Sequence, residues 1–168
     1  MIVERRKTKD LSRLALARFA NQAQRAAGLR GEVNILLTSN AEMQRLNLQF
    51  RHKDESTDVL SFPAGRPQPE RRSPRTRQRP QPERRIRSTA GGDIAIALPV
   101  ARRQAAAAGH DLLTEVKVLI LHGMLHLAGY DHETDGGRMR RLEQKLRAGF
   151  HLHAGLIERS VPARAGRP

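Results

Sequence analysis

The arrangement of apolar runs in this 168-residue chain predicts an α+β fold, a small mixed sheet packed against helices. Three observations carry that expectation. Short apolar runs of strand length recur, longer stretches show helical periodicity, and the two do not alternate as a strict βαβ series would. The length suits one domain with a single core, taken as residues 1–155, followed by a basic, disordered tail at 156–168.

Residues 11–27 read as the first helix. Leu11, Leu14, Ala15 and Phe19 fall on one face, Asp10 is placed to cap the start, and Gly28 to end it. Residues 33–38 (VNILLT) are β-rich and apolar, as a buried strand is. Ser39 and Glu42 form a capping-box pattern, which opens a second helix through Met43, Leu46 and Phe50. Residues 58–62 (DVLSF) read as a short strand stopped by Pro63. Residues 93–98 (DIAIAL) are expected to be the third core strand, leading through Pro99 into an Ala-rich helix at 100–108. Another helix starts near Asp111 or Thr114 and runs to Ala128. Its apolar positions Leu112, Val116, Leu119, Ile120 and Leu127 cover much of its circumference, as a central buried helix requires. A last helix at 137–148 carries Met139, Leu142 and Leu146 on one face.

Residues 66–89 break this pattern. The stretch holds nine Arg, five Pro and two Glu, and its net charge of +7 is half of the chain's +14. So little apolar surface does not offset the entropy of ordering, and a disordered insertion is expected, either passive or gripping phosphates. The whole chain carries 31 basic against 17 acidic side chains, which makes a nucleic acid the leading partner class. Arg outnumbers Lys 26 to 5, so a general arginine bias is a second source of that charge.

Composition also excludes. Aromatics are 3% with no Trp, too few for an RNA-binding sheet that works by stacking bases. The absence of Cys removes disulfides, thiolate metal ligands and a cysteine nucleophile. No apolar run approaches the roughly 20 residues that span a bilayer, and Arg18 interrupts the run from Leu14 to Ala20. A cytoplasmic protein with no membrane partner is the expectation.

The most informative segment is HGMLHLAGYDH, residues 122–132. Residues four apart lie one turn apart on one helix face, so His122 and His126 can address a single metal ion. Gly129 readily takes the left-handed conformation that turns a chain at a helix end, which lets His132 swing back as a third ligand. Three neutral imidazoles suit one Zn2+ ion with a fourth position open, the pattern of a catalytic rather than a closed structural site. Such a ligand set leaves the ion's full charge in place and lowers the pKa of bound water to about 7. His52, His110, His151 and His153 show no ligand spacing and are read as surface residues. In HExxH metalloproteases a glutamate beside the first histidine is the general base; here that place is Gly123, which disfavours peptide hydrolysis.

Together with the upstream LNLQFRHKDESTDVLSF and GGDIAIA, this segment resembles the YbeY family of bacterial rRNA-processing endoribonucleases, over residues 33–150 and with the motifs in the family's order. The resemblance implies a compact α+β domain with a metzincin-like central zinc-binding helix. It implies a metal-dependent, single-strand-specific endoribonuclease acting with the ribosomal small subunit in late ribosome maturation, including 16S rRNA 3′-end processing, and in rRNA quality control. RNA, specifically single-stranded rRNA, is then the substrate, and no small-molecule cofactor is implied.

The family's zinc histidines carry over onto His122, His126 and His132, and its functionally important arginine onto Arg51. Arg51 and His122 are therefore the catalytic candidates. The alternative for Arg51 is a surface salt bridge with Asp54 or Asp58. The family also begins with a strand, for which only residues 1–6 are available here, and its loop between LSFP and GDI is usually shorter. A zinc-stabilised ribosome assembly factor is the second functional reading. Attack by water and attack by the substrate's own 2′-OH both remain open.

Overall fold

The computed structural model describes residues 2–4, 11–64 and 91–152. The expected insertion at 66–89 and tail at 156–168, as well as Asp10 and His153, lie outside the described residues. Four strands, β1 (Ile2–Glu4), β2 (Val33–Thr38), β3 (Val59–Pro63) and β4 (Gly92–Ala97), form one mixed sheet in the order β1-β2-β4-β3. β1, β2 and β4 run parallel, and β3 closes one edge antiparallel to β4. The helices are α1 (Arg13–Ala26), α2 (Asn40–Arg51), α3 (Leu98–Ala108), α4 (Leu112–Leu127) and α5 (Arg138–Gly149). The expected α+β class with a small mixed sheet is what forms.

Alternation along the strands divides the core in two. Ile35, Leu37, Ile94 and Ile96 face the larger cluster, built with Leu16 and Phe19 of α1 and Val116 to Leu127 of α4. Leu60, Ala95 and Ala97 turn the other way and meet Met43 and Leu46 of α2. α4 is the central element: twelve of its 16 residues are buried, and it contacts α1, α3, α5, β3 and β4. Each of its buried leucines, truncated to alanine, costs about 2–5 kcal/mol, so the first two histidines sit on the most firmly held helix of the molecule.

Several local expectations need correction. α1 is capped by Ser12, whose hydroxyl accepts from the Ala15 amide at 3.2 Å, and its buried stripe is Leu16, Phe19, Ala20 and Ala23. Leu14 is on the other side, 61% exposed. β3 terminates at Pro63 as expected, with the proline itself paired in register opposite Gly92; an edge strand tolerates a residue without an N–H.

His110 is not a surface residue. Gly109, at φ +71, turns the chain between α3 and α4 and folds the imidazole inward, where Nε2 lies 2.6 Å from a buried Glu115 carboxylate. On α5 the most buried positions are Met139, Glu143 and Arg147, so two charged residues share the inner face with the methionine. His52 and His151 are exposed, as expected.

Candidate metal centre

α4 starts at its N-cap Asp111 and runs straight through His122 and His126, placing the two rings one turn apart with centroids 4.7 Å from each other. Its end is built by backbone hydrogen bonds. The Gly129 amide donates to the His126 carbonyl at 2.9 Å and the Tyr130 amide to the Leu125 carbonyl at 3.0 Å, a Schellman closure around Gly129 at φ +84. Any side chain at 129 would strain that left-handed residue.

The chain then folds into a tight turn organised by Asp131. One carboxylate oxygen accepts from the Glu133 amide at 3.1 Å and the other from the Thr134 hydroxyl at 2.8 Å. These hydrogen bonds hold the Asp131 carboxyl below its ordinary pKa. Asp135 closes the turn by accepting from the Arg138 and Met139 amides at the start of α5. Between two such clamps, His132 is brought back over α4.

The three rings meet. Ligand-capable atoms of His122, His126 and His132 all lie within 4.8 Å of one another, so the group is able to hold a metal ion. The ring centroid of His132 stands 5.4 Å from that of His122 and 5.3 Å from that of His126. Nε2 of His122 and Nε2 of His126 are 3.0 Å apart, a spacing at which two lone pairs need a proton or a cation between them.

On His126, Nδ1 stands 3.1 Å from the Tyr130 carbonyl and donates to it, which fixes the tautomer and leaves Nε2 as the free donor atom. Burial, followed by the neighbouring His122 and His132, pushes the His126 pKa down to about 4, so this ring is neutral at pH 7. Burial grades outward from His122 through His126 to an exposed His132. A metal held here would therefore be anchored on the core side and open on the other. The residues fit zinc: neutral nitrogen donors, convergent, with fewer than the four protein ligands of a closed site.

Gly123 faces away from this cluster. A Cβ there would lie 3.0 Å from Ile94 side-chain carbons and 3.1 Å from the Ser61 Oγ, which itself donates to the Gly123 carbonyl at 3.3 Å. The helix is pressed directly onto β3 and β4 at the position where a metalloprotease carries its glutamate. A glutamate there would be a buried, unpaired charge wedged against the sheet. Gly123→Glu is accordingly expected to unfold the protein or leave it insoluble, checked by circular dichroism and yield of soluble chain. A soluble, natively folded variant would contradict this packing.

Arg51 is exposed as the last residue of α2, immediately before His52 turns the chain at φ +58. The loop that follows is pinned by Asn47, which donates to the Glu55 carbonyl at 2.9 Å, and by Gln44, which donates to Asp54 at 2.9 Å. Asp58 accepts from Gln104 of α3 at 2.9 Å and from the Val59 amide. Both acids offered as alternative partners of Arg51 are thus held by other groups, and among the described residues Arg51 forms no ion pair.

Arg51 and the histidines lie in different helix layers but at the same end of the sheet. Phe50 packs edge-on against Phe62 of β3, 5.0 Å between centroids, next to Pro63. A Cβ on Gly92, the partner of Pro63, would touch Leu127 at the end of α4.

Two further features escape a reading of the sequence alone. Glu143 of α5 comes up beneath His122, its carboxylate oxygen 3.5 Å from Nδ1 of that ring, with both side chains almost fully buried. The available signal is a glutamate one turn beyond Met139 on the inner face of α5. A groove of about 980 Å³ opens at the opposite end of the sheet, between the starts of α2 and α3, lined by Leu37, Arg45, Leu98, Arg102 and Arg103 among others. It is remote from the histidines.

Fold and site together define a small α+β domain with an exposed-side three-histidine centre at the end of a buried helix. The family model described as Endoribonuclease YbeY matches residues 2–151. The chain belongs to the YbeY family. It is similar to the protein named Endoribonuclease YbeY of Koribacter versatilis, with 42% identity over 96% of this chain and 92% of that protein. Its similarity to the protein of the same name from Solibacter usitatus is 43% identity over 92% and 90%. Its fold is similar to that of TM1509 from Thermotoga maritima, solved in solution, with a TM-score of 0.52 at 22% identity, covering 99% of this chain and 100% of that one.

Proposed function

We propose that this chain is a zinc-dependent, single-strand-specific endoribonuclease of late ribosome maturation, acting on 16S rRNA 3′ ends and in rRNA quality control. In this reading it is cytoplasmic, its partner is the ribosomal small subunit, and His122, His126 and His132 bind one zinc ion. The observation that carries the reading is the convergence of those three donors at an open face in a chain of this family. The net charge of +14 supports an RNA substrate. No helix among the described residues is long and apolar enough to cross a membrane.

Zinc in this centre would supply a Lewis acid for a phosphodiester oxygen or the nucleophile. The chain's own residues do the rest. His126, held by the Tyr130 carbonyl, and His122, held on the core side, keep their Nε2 atoms aimed at one point, so the centre needs little reorganisation. Arg51 supplies a planar, permanently charged donor fork for the phosphate and for charge growing on its oxygens in the transition state. The packed Gly123 leaves no carboxylate at the chain position following His122, where a metalloprotease carries its general base, which disfavours peptide hydrolysis and fits either water or the 2′-OH as nucleophile. Product ends distinguish these, because 2′,3′-cyclic phosphates exclude direct attack by water.

The test is cleavage of a single-stranded RNA and of its duplex by purified protein before and after chelation. Cleavage of the single strand alone, lost on chelation and restored by zinc, is the expected result. Cleavage indifferent to chelation would refute the metal role.

For residues 66–89 the proposal is sequence-independent phosphate gripping. Deleting them should reduce the slope of log affinity for RNA against log salt, by up to about 0.7 for each phosphate the segment had neutralised. An unchanged slope would make the insertion passive.

A further inference from the structure

Glu143 sits where a carboxylate is costly. It is 2% exposed, neither of its oxygens has a hydrogen-bond partner among the described residues, and its helix neighbours on the inner face are Met139 and Arg147. The facing atom, Nδ1 of His122, is also buried and without a hydrogen bond, and it is 3.5 Å from the carboxylate. Two buried polar groups, each lacking a partner and each aimed at the other, satisfy one another if Nδ1 carries the proton. The same proton placement leaves Nε2 of His122 free, and that is the atom already 3.0 Å from Nε2 of His126. His126 shows the parallel arrangement, with its own Nδ1 donating to the Tyr130 carbonyl.

We propose that Glu143 is a positioning residue for the metal centre: its carboxylate accepts a hydrogen bond from Nδ1–H of His122, fixing the ring's tautomer and orientation and strengthening Nε2 as a ligand. α5 is thereby more than a cover for α4. The turn at 129–137, which returns His132 to the site, also delivers Glu143 beneath it, so one connection supplies an exposed ligand and a buried support. The carboxylate brings a negative charge under the centre and offsets part of the charge that three neutral ligands leave on a bound cation.

This inference rests on the proposed metal site, and the experiment separates the two. Zinc affinity of the wild type, Glu143→Gln and Glu143→Leu is measured by competition with a chromophoric chelator, alongside the thermal midpoint of each metal-free protein. Glu143→Leu is expected to weaken zinc binding about 10- to 100-fold, and Glu143→Gln, which keeps an acceptor, by less. In the metal-free proteins the midpoint of Glu143→Gln should stay close to that of the wild type, because the amide oxygen still accepts from Nδ1–H, whereas Glu143→Leu leaves that N–H without a partner and should lower it modestly. Long-range 1H–15N spectra of the zinc-loaded wild type provide a readout that needs no variant. They should show His122 protonated on Nδ1 with a downfield, hydrogen-bonded proton. Equal zinc affinity in all three proteins, or zinc bound through Nδ1 of His122, would overturn the inference alone. A wild type that takes up no zinc would overturn the metal site and this inference with it.

Discussion

His126→Ala is expected to abolish both zinc retention and RNA cleavage while leaving the fold intact. The substitution removes one of the three proposed ligands, and two imidazoles from an open site do not hold zinc against a chelator. It spares the core, because the ring is partly exposed and the helix around it is secured by Leu119, Ile120, Leu121, Met124 and Leu125, all fully buried. Helix propensity favours alanine at this position, so circular dichroism should be unchanged. Zinc content by atomic spectroscopy and cleavage of single-stranded RNA are the measurements. Loss of cleavage with zinc fully retained would mean that His126 acts in some way other than as a ligand.

Arg51→Ala carries the second large effect, and it should fall on a different quantity. With no ion pair among the described residues to lose and an exposed position at a helix end, Arg51 contributes little to stability, within about 0.5 kcal/mol. Zinc content should be unchanged. If its guanidinium stabilises charge that develops only in the transition state, kcat should fall by about 10²- to 10³-fold with a small change in KM. Arg51→Lys should restore little of this, since a point charge does not replace a two-pronged donor. A rise in KM alone would reassign Arg51 to ordinary phosphate binding.

The two predictions draw on signals of different kind. His122, His126 and His132 are legible in the sequence because their geometry is local: one helical turn, one glycine that accepts a left-handed conformation, one short turn back. β2, α2 and α4 are legible from equally local signals, a β-rich apolar run, a capping box at Ser39 and Glu42, and a long segment apolar around most of its circumference. Asp131 organises its turn through four hydrogen bonds, two accepted by its carboxylate from Glu133 and Thr134 and two by its carbonyl from the Thr134 and Asp135 amides.

What stays hidden depends on partners distant in the chain. His110 is read as a surface residue until Gly109 folds it onto Glu115. Leu14 is assigned to the buried face until the cap at Ser12 shows where the helix begins, after which Leu16, Phe19, Ala20 and Ala23 form the stripe. β1 has three residues and pairs in parallel with β2, so no local pattern of its own announces it. Glu143 is a polar residue on an amphipathic helix, and only the approach of α5 to α4 reveals that its carboxylate is enclosed beneath His122.

The buried packing of Gly123 against Ile94 and Ser61 links these levels. A glutamate at 123 would have to displace those contacts, so the position that distinguishes this helix from that of a metalloprotease is also a packing position.

The central claim is that the three histidines hold a zinc ion with which the protein cuts RNA. Metal analysis of the purified chain, run beside cleavage of a 16S rRNA 3′-end precursor by wild type and His126→Ala, tests it most directly. The account predicts one zinc per chain and cleavage in the wild type, and neither in the variant. A wild type that cleaves the precursor without bound zinc, or a His126→Ala protein that cleaves as well as the wild type, would contradict it.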